Sequence, residues 1–369
     1  MKQTDSSEDC TKAFGRYRGE IDNINVQIIA LLARRQEIAS SIGQIKRRLG
    51  MEMFDPSREQ EILKCLSSQS SEHLTQEAIR YVFNEIMSAA RSVQEPLTVA
   101  FLGPETSFSE QAAISLFGHS ASFHPAETIE DVFTSVEKGI CKQGVVPVEN
   151  SLEGSVTGTL DLFHKHDVKI RAEVYLRIRH HVLSKAENLS EIKYLYSHPM
   201  AIAQCRSWIK DHLPGVTVRE VESTSRAASL AATDPRAAAV GSHVSALRYE
   251  LTELAKDIQD QPDNVTRFLA IGTHDAAPSG KDKTSVLFFL SHKPGALCRA
   301  LEPLGRRNIN IRRIESRPIK VRKWEYLFFV DLEGHERNSN LRDAVREMEE
   351  RCMSLRRLGS YPAGNDPWD

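Results

Sequence analysis

Four basic residues early in the chain stand where a charge needs an explanation. Ile21, Ile24, Ile28, Leu31, Ile38, Ile42 and Ile45 follow the three-four spacing of a packed helical seam, and the seam position at 35 is an arginine. A charge is rarely buried unless it is paired. Lys46 follows after close to a whole number of turns, so it shares the face of Arg35 at a separation of about 16 Å. Two long cations over that gap could clamp a small dicarboxylate, although a buried salt bridge or a specificity residue accounts for Arg35 equally well on the helix alone. Arg18 is about a quarter turn out of phase and about 25 Å away, so it could reach such a site only from a second, antiparallel chain. Arg58-Glu59 adds a cation and a hydroxyl acceptor, and Glu in a first helical turn also simply matches the helix dipole.

A second group of candidates follows short apolar strands. Ser107 and Ser109 come after Thr98–Leu102, Glu149-Asn150-Ser151 after Gly144–Val148, and Ser197-His198-Pro199 after Leu195-Tyr196. Ser223-Thr224-Ser225 could cap a helix, and Thr266-Arg267-Phe268 sets a hydroxyl beside a guanidinium. Taken singly, each reads as a helix cap. Taken together they supply hydroxyls and helix N-termini, which is how small anions are bound. The histidine pairs His119/His124 and His164/His166 lack Asp, Glu or Cys at ligand spacing, so no metal is expected. Phe101–Ser109 has one glycine where a dinucleotide loop needs three, and no cofactor is expected either.

These residues need three different scaffolds. From about Tyr17 the pattern is helical for some thirty residues, until Gly50 and Phe54-Asp55-Pro56, after a loose tail over 1–16. A helix of that size is about 45 Å long, too long for its own small domain to cover, so an interlocked dimer is the economical solution. Helices over roughly Ser57–Ser67 and Thr75–Gln94 complete the unit, and a dimerisation coil without chemistry would show the same pattern. After Glu95-Pro96, strands alternate with helices, the grammar of an open α/β sheet whose ligands sit beyond the strand ends. Residues 97–272 are generous for one lobe, and two lobes with a cleft fit better. The segment 283–361 reads β-α-β-β-α-β, the ferredoxin-like order, behind a plausible linker at His274–Lys283.

The bulk numbers agree with several cores. The chain has 369 residues, more than one core usually serves, and its 48 basic and 50 acidic residues leave no footprint for nucleic acid or an anionic membrane. Six scattered cysteines fit a reduced, cytoplasmic setting. The start has no apolar run, so no secretory signal is expected, and the longest apolar runs are strand-sized, too short to span a membrane.

The segment Arg18-Gly-Glu-Ile-Asp22, Leu31-Leu-Ala-Arg-Arg35, Ile42-Gly43, Lys46, Asp55-Pro-Ser-Arg-Glu59 and Ile86–Gln94 resembles the all-helical chorismate mutases. The resemblance implies that Arg18, donated across a dimer, and Arg35 hold carboxylates, with Arg58 beside them. Lys46 and Gln94 would face the ether oxygen, while Asp55 and Glu59 orient other groups, Glu59 touching the ring hydroxyl. Ala90 stands where some members have Ser. Such a rearrangement needs no nucleophile: it needs a compact conformer and cations where negative charge develops.

Gly103–Ser109, Pro147–Gly154, Ser197-His-Pro199, Gln204-Cys205, Glu222-Ser-Thr-Ser225 and Asn264-Val-Thr-Arg-Phe268 resemble prephenate dehydratase across 98–272. By that resemblance Thr266 delivers a proton to the leaving hydroxyl, with Glu149 as the runner-up acid, and Arg267 helps hold a carboxylate beside Phe268. Asn150 and Gln204 would position the hydroxyl or ring, while Ser107, Ser197 and Ser225 contact substrate or brace the cleft. Thr106 replaces a glycine of the family's first loop and would be strained if φ is positive there. Gly295-Ala296-Leu297 and Glu315-Ser316-Arg317-Pro318 look like the ligand motifs of the amino-acid-binding ACT domain, which implies phenylalanine as a feedback effector.

The expected architecture is therefore a three-helix chorismate mutase domain (17–95), a two-lobed α/β dehydratase of periplasmic-binding-protein type (97–273), a linker (274–282), a ferredoxin-like α+β ACT domain (283–361) and a tail (362–369). The expected ligands are chorismate, prephenate and phenylalanine, in a homo-oligomer (dimer or tetramer) that binds neither nucleic acid nor membrane. Three alternatives stay open: arogenate as the dehydratase substrate, a non-catalytic amino-acid or anion sensor on the same cleft, and one catalytic domain decayed into a scaffold.

Overall fold

The first helix is longer than the seam that predicts it. In the computed structural model, which describes residues 4–318 and 325–364, α1 runs Thr4–Arg48, about 68 Å at 1.5 Å per residue. The stretch 4–16, expected to be a loose tail, is part of this helix: it contains no proline, and a helix already nucleated adds residues at little cost. α2 (Pro56–Ser67) starts at an Asp55 cap with Pro56 at its first position, and α3 (Gln76–Gln94) starts at a Thr75 cap. Only the C-terminal part of α1 finds cover on α3, where Ala39 is buried and a Cβ on Gly43 would stand 2.9 Å from that of Gln94. The rest of the seam stays bare, with Leu31 68 % and Ile21 56 % exposed.

The first lobe comprises β1 (Thr98–Leu102), α4 (Phe108–Phe117), β2 (Ser122–Ala126), α5 (Ile129–Glu137), β3 (Gln143–Asn150), β4 (Gly154–Ser155), α6 (Thr157–Lys165) and β5 (Lys169–Arg177). The chain then crosses to a second lobe of β6 (His181–Ser184), β7 (Tyr194–Ser197), α7 (Pro199–Gln204), α8 (Arg206–His212), β8 (Thr217–Glu220), α9 (Thr224–Ala231), β9 (Ala237–Gly241), α10 (His243–Arg248) and β10 (Thr252–Ala255). It returns through β11 (Val265–Gly272), which inserts antiparallel between β3 and β5. The sheets are ordered β2-β1-β3-β11-β5, with β4 on β3, and β10-β6-β9-β7-β8. Two passages between lobes make a hinge, clipped by Ile178 N to Asn264 O (2.8 Å) and Ile258 N to His180 O (2.9 Å).

The third unit is β12 (Asp282–Ser291), α11 (Ala296–Arg306), β13 (Ile311–Pro318), β14 (Glu325–Glu333), α12 (Ser339–Arg351) and β15 (Ser354–Pro362), the expected β-α-β-β-α-β order in a sheet β13-β14-β12-β15. It does not hang from its linker. Leu287, Leu327, Phe329, Leu358 and Tyr361 join Phe133, Phe163, Val168 and Ile170 of the first lobe in one core. β15 runs so close to β5 that a Cβ on Gly359 (φ 128°) would lie 2.7 Å from Ile170 O. The expected tail begins packed: Ala363 is buried and Gly364 N donates to Glu173 at 2.8 Å, while residues 1–3, 319–324 and 365–369 lie outside the described residues.

The helical unit is seated on the other two. Arg171 of β5 donates to Phe54 O at 3.0 Å and pairs with Glu52 at 2.9 Å. Ser57 donates to Ala277 O, and Gln60 donates to Ala363 O at 2.8 Å. No described helix is long and apolar enough to cross a membrane.

Candidate active sites

In the helical unit, Arg35 and Lys46 reach across from α1 to the start of α2 and the side of α3. Arg35 Nη1 donates to Ile86 O at 3.3 Å and Lys46 Nζ to Met53 O at 3.0 Å. Glu59 lies within electrostatic range of both cations, and its buried carboxylate is paired with Arg91 of α3. Burial raises the Glu59 pKa, against the charge and hydrogen bond of Arg91 that lower it. Burial also lowers that of Arg35, with the Glu59 charge working the other way. Asp55 caps α2 by accepting from Arg58 N at 3.1 Å. Gln94 has a buried Oε1 with no hydrogen-bond partner, and Ala90 is buried on the same helix.

Two expected members are not in this group. Arg18 lies exposed over the Phe14 ring (4.1 Å to the centroid), and Arg58 turns to solvent to pair with Glu61 at 2.9 Å. Arg91 was not singled out from the sequence, although a charge on the buried face of an amphipathic helix is the signal for it. Its Nη2 also donates to Phe117 O at the end of α4, tying Glu59 to the neighbouring lobe.

In the cleft domain, β3 and β11 bring Asn150 and Thr266 side by side in register. Asn150 Oδ1 accepts from the backbone N–H of Leu152 (3.0 Å) and Glu153 (3.1 Å). A backbone N–H can only donate, so Nδ2 must point the other way, where it donates to Thr266 Oγ1 (2.9 Å) and Asn264 Oδ1 (2.7 Å). Asn264 Nδ2 donates to Gln204 Oε1 at 3.0 Å, and His180 Nε2 lies 3.1 Å from that same oxygen. Gln204 Nε2 reaches Glu153 at 3.1 Å, so Gln204, from the second lobe, touches both the hinge and the β3–β4 turn. Asn264 and His180 were not singled out from the sequence.

The hydroxyls divide into cap, brace and bridge. Ser107 caps α4 and donates to Leu102 O at 3.1 Å; Ser197, fully buried, donates to Val240 O at 2.8 Å. Ser225 lies 2.7 Å from Thr106 Oγ1, and Thr106 has φ 64°, the strained geometry its substitution for glycine raised.

Three expected contacts are corrected, those of Arg267 and Glu149 by strand alternation, which sends adjacent side chains to opposite faces. Arg267 leaves the face of Thr266 and enters a buried cluster, with Nε to Glu173 (2.8 Å), Nη1 to Asp331 (2.5 Å) and Nη2 to Tyr361 OH (3.1 Å). Lys283 completes the balance by pairing with Glu173 at 2.8 Å. Burial lowers the Arg267 pKa, but Asp331 and Glu173 outweigh it and hold it well above the usual range; burial raises that of Asp331, and Arg267 overrides it downward. The Phe268 ring is buried in the first-lobe core with Val99, Phe101 and Phe117, so it does not line the cleft. Glu149, one residue from Asn150, turns to Arg313 of β13 (3.4 Å) and away from Thr266.

In the third unit, Gly295 (φ 75°) caps α11 with no side-chain hydrogen bond, and Ala296-Leu297 open the helix. Glu315 and Arg317 alternate with exposed Ser316 and Pro318 along the edge strand β13; Arg317 pairs with Asp161 at 2.9 Å. No group of three or more His, Cys, Asp or Glu suited to a metal occurs among the described residues.

Comparison with known proteins follows the same three units. The chain matches the family models for Chorismate mutase type II over residues 17–95, Prephenate dehydratase over 99–276 and ACT domain over 284–350. It is 46% identical over 349 residues, 94% of this chain and 96% of the relative, to a bifunctional chorismate mutase/prephenate dehydratase of Aquifex aeolicus. It is 38% identical, with the same coverage, to one of Pseudomonas aeruginosa. A crystal structure of a prephenate dehydratase from Arthrobacter aurescens in complex with L-Phe superposes with a TM-score of 0.67 at 34% identity, covering 72% of this chain and 90% of that one.

Proposed function

Since the chain belongs to the bifunctional chorismate mutase/prephenate dehydratase family, we propose which of its residues carry each reaction. The enzyme rearranges chorismate to prephenate, then removes carbon dioxide and water from prephenate to give phenylpyruvate, in phenylalanine biosynthesis. In the first step Arg35 holds a carboxylate, and Lys46 with Gln94 meets the ether oxygen as its bond breaks and negative charge gathers there. Glu59, oriented by Arg91, accepts the ring hydroxyl. Arg18 serves the site of a second copy. The bare apolar seam of α1 supports that dimer: Ile21, Ile24, Ile28 and Leu31 are left exposed by their own chain.

In the second step the carboxylate leaves as CO2, its electron pair enters the ring, and the ring hydroxyl departs as water after taking a proton. The observation that carries Thr266 as donor is the 2.9 Å bond in which its oxygen accepts from Asn150 Nδ2. That bond leaves the Thr266 proton free for the substrate and stabilises the charge that builds on Oγ1 as the proton leaves. Gln204 positions the ring from the opposite lobe. Phenylalanine bound at Gly295–Leu297 and Glu315–Pro318 inhibits the dehydratase. The six free cysteines fit a reducing cytoplasm.

The experiment is a pair of substitutions read on both activities of the same chain. Lys46→Ala is expected to lower chorismate turnover by about 10²–10⁴-fold and spare prephenate turnover; Thr266→Val is expected to do the reverse. Chorismate turnover that survives loss of Lys46, or phenylpyruvate formation that survives loss of Thr266, overturns the corresponding half. Parallel assays with arogenate establish the substrate preference.

A further inference from the structure

The amide orientation imposed on Asn150 by two backbone N–H groups propagates further than Thr266. Asn150 Nδ2 fixes the oxygen of Asn264, so Asn264 Nδ2 faces Gln204 and fixes the Gln204 oxygen in turn. Gln204 Oε1 is therefore an acceptor, and His180 Nε2, 3.1 Å away, must carry the hydrogen. His180 Nδ1 is then a bare lone pair, buried and without a hydrogen-bond partner. An unpaired buried acceptor is costly, and nothing in the packing of a hinge requires an imidazole.

We propose that His180 is a positioning residue of the dehydratase: its Nε2–H locks the Gln204 amide and, through Asn264 and Asn150, the direction in which Thr266 presents its proton. The proposal rests on the reading of Thr266 as proton donor. The members come from three places, His180 and Asn264 from the two hinge passages and Gln204 from the second lobe, so the chain is complete only while the lobes keep this relation. Asn264 is fully buried and His180 nearly so, which leaves water no ready route to replace a missing donor. Burial holds the imidazole neutral, pushed down to about 4 against the Gln204 hydrogen bond, so Nε2–H with a bare Nδ1 persists across working pH. The nearby Phe108 ring, with centroids 5.7 Å apart and tilted edge-on, fills space beside the imidazole and offers Nδ1 no N–H or O–H donor.

The test uses the whole enzyme, with chorismate turnover on the same chain as the control for folding. His180→Leu is expected to lower kcat for prephenate about 10–100-fold with little change in KM, because geometry at the reacting hydroxyl is lost and binding is not. His180→Gln, which can place an N–H where Nε2 stood, should restore most of the loss, whereas His180→Asn is too short to do so. In an Asn150→Ala background, His180→Leu should add little, since the path to Thr266 is already cut. An unchanged kcat in His180→Leu, or full multiplication of the two losses, overturns the proposal. If His180→Leu does not fold, equal activity of the Gln and Asn variants overturns it. The parent reading is tested separately by Thr266→Val: loss there with none in His180→Leu sinks only the role of His180.

Discussion

Thr106 Oγ1 and Ser225 Oγ lie 2.7 Å apart, one hydroxyl on each lobe. Ser245 donates to Thr106 at 3.0 Å and Ser225 donates to Glu105 O at 2.5 Å, so Thr106 donates to Ser225 and the buried chain crosses between the lobes at each step. A glycine at 106 would adopt φ 64° freely but could not join this bridge. Thr106→Ala, which keeps the strain and loses the hydroxyl, should cost about 1–3 kcal/mol in urea unfolding. Thr106→Gly should cost less, because it also relieves strain of about 1–2 kcal/mol. Equal stability of wild type and the alanine variant would mean that the bridge holds nothing.

Arg267 offers a sharp choice between two roles. As the centre of a buried cluster with Glu173 and Asp331 it is structural, and Arg267→Met leaves Glu173 with Lys283 but Asp331 with the Ser285 hydroxyl in place of a charge partner. Breaking a buried pair in this way costs about 3–5 kcal/mol, so a marked fall in melting temperature is expected. At temperatures where the variant is folded, KM for prephenate should stay near that of wild type. A large rise in KM without loss of stability would return Arg267 to the substrate.

Acid should weaken the fold through His180. Its folded pKa is pushed below the unfolded value of 6.5, to about 4, so the unfolded chain binds a proton first as pH falls. Stability from this group is therefore present above 6.5 and is lost between 6.5 and 4, by about 3 kcal/mol at most. The measurement is urea unfolding across that window in wild type and His180→Gln; the variant should show the flatter acid slope.

Arg313 lies on the strand that carries Glu315 and Arg317, and its Nη2 donates to Ser155 Oγ at 2.7 Å. Ser155 and Glu149 are cross-strand partners in the turn that holds Asn150. Arg313→Ala should therefore raise the phenylalanine concentration for half inhibition about two- to thirtyfold, with uninhibited turnover little changed. Unaltered inhibition would remove β13 from the route.

The sequence made the domain order, the βαββαβ unit and the basic face of α1 legible, because each rests on local periodicity. Arg267 and Glu149 depart from the expected site for one reason, and Phe268 for another. On the strand β11 Arg267 faces away from its neighbour Thr266, as Glu149 does from Asn150, whereas Phe268 shares the Thr266 face and lies deeper, inside the first-lobe core. Recognising β11 as a strand separates Arg267 from Thr266. Asn264 and His180 gave no such signal, since an amide relay joins residues far apart in sequence and leaves no spacing to find. Arg91 was findable as a charge on a buried helix face.

The core shared by Phe133, Phe163 and Ile170 with Leu287, Phe329 and Tyr361 has a consequence for how regulation can be lost. Deleting the chain beyond the linker would strip one wall from the dehydratase lobe and strand Glu173 and Arg267 without Asp331 or Lys283. A strain selected to overproduce phenylalanine should thus carry single substitutions in the third unit and retain its full length, because a nonsense codon there forfeits the enzyme along with its brake.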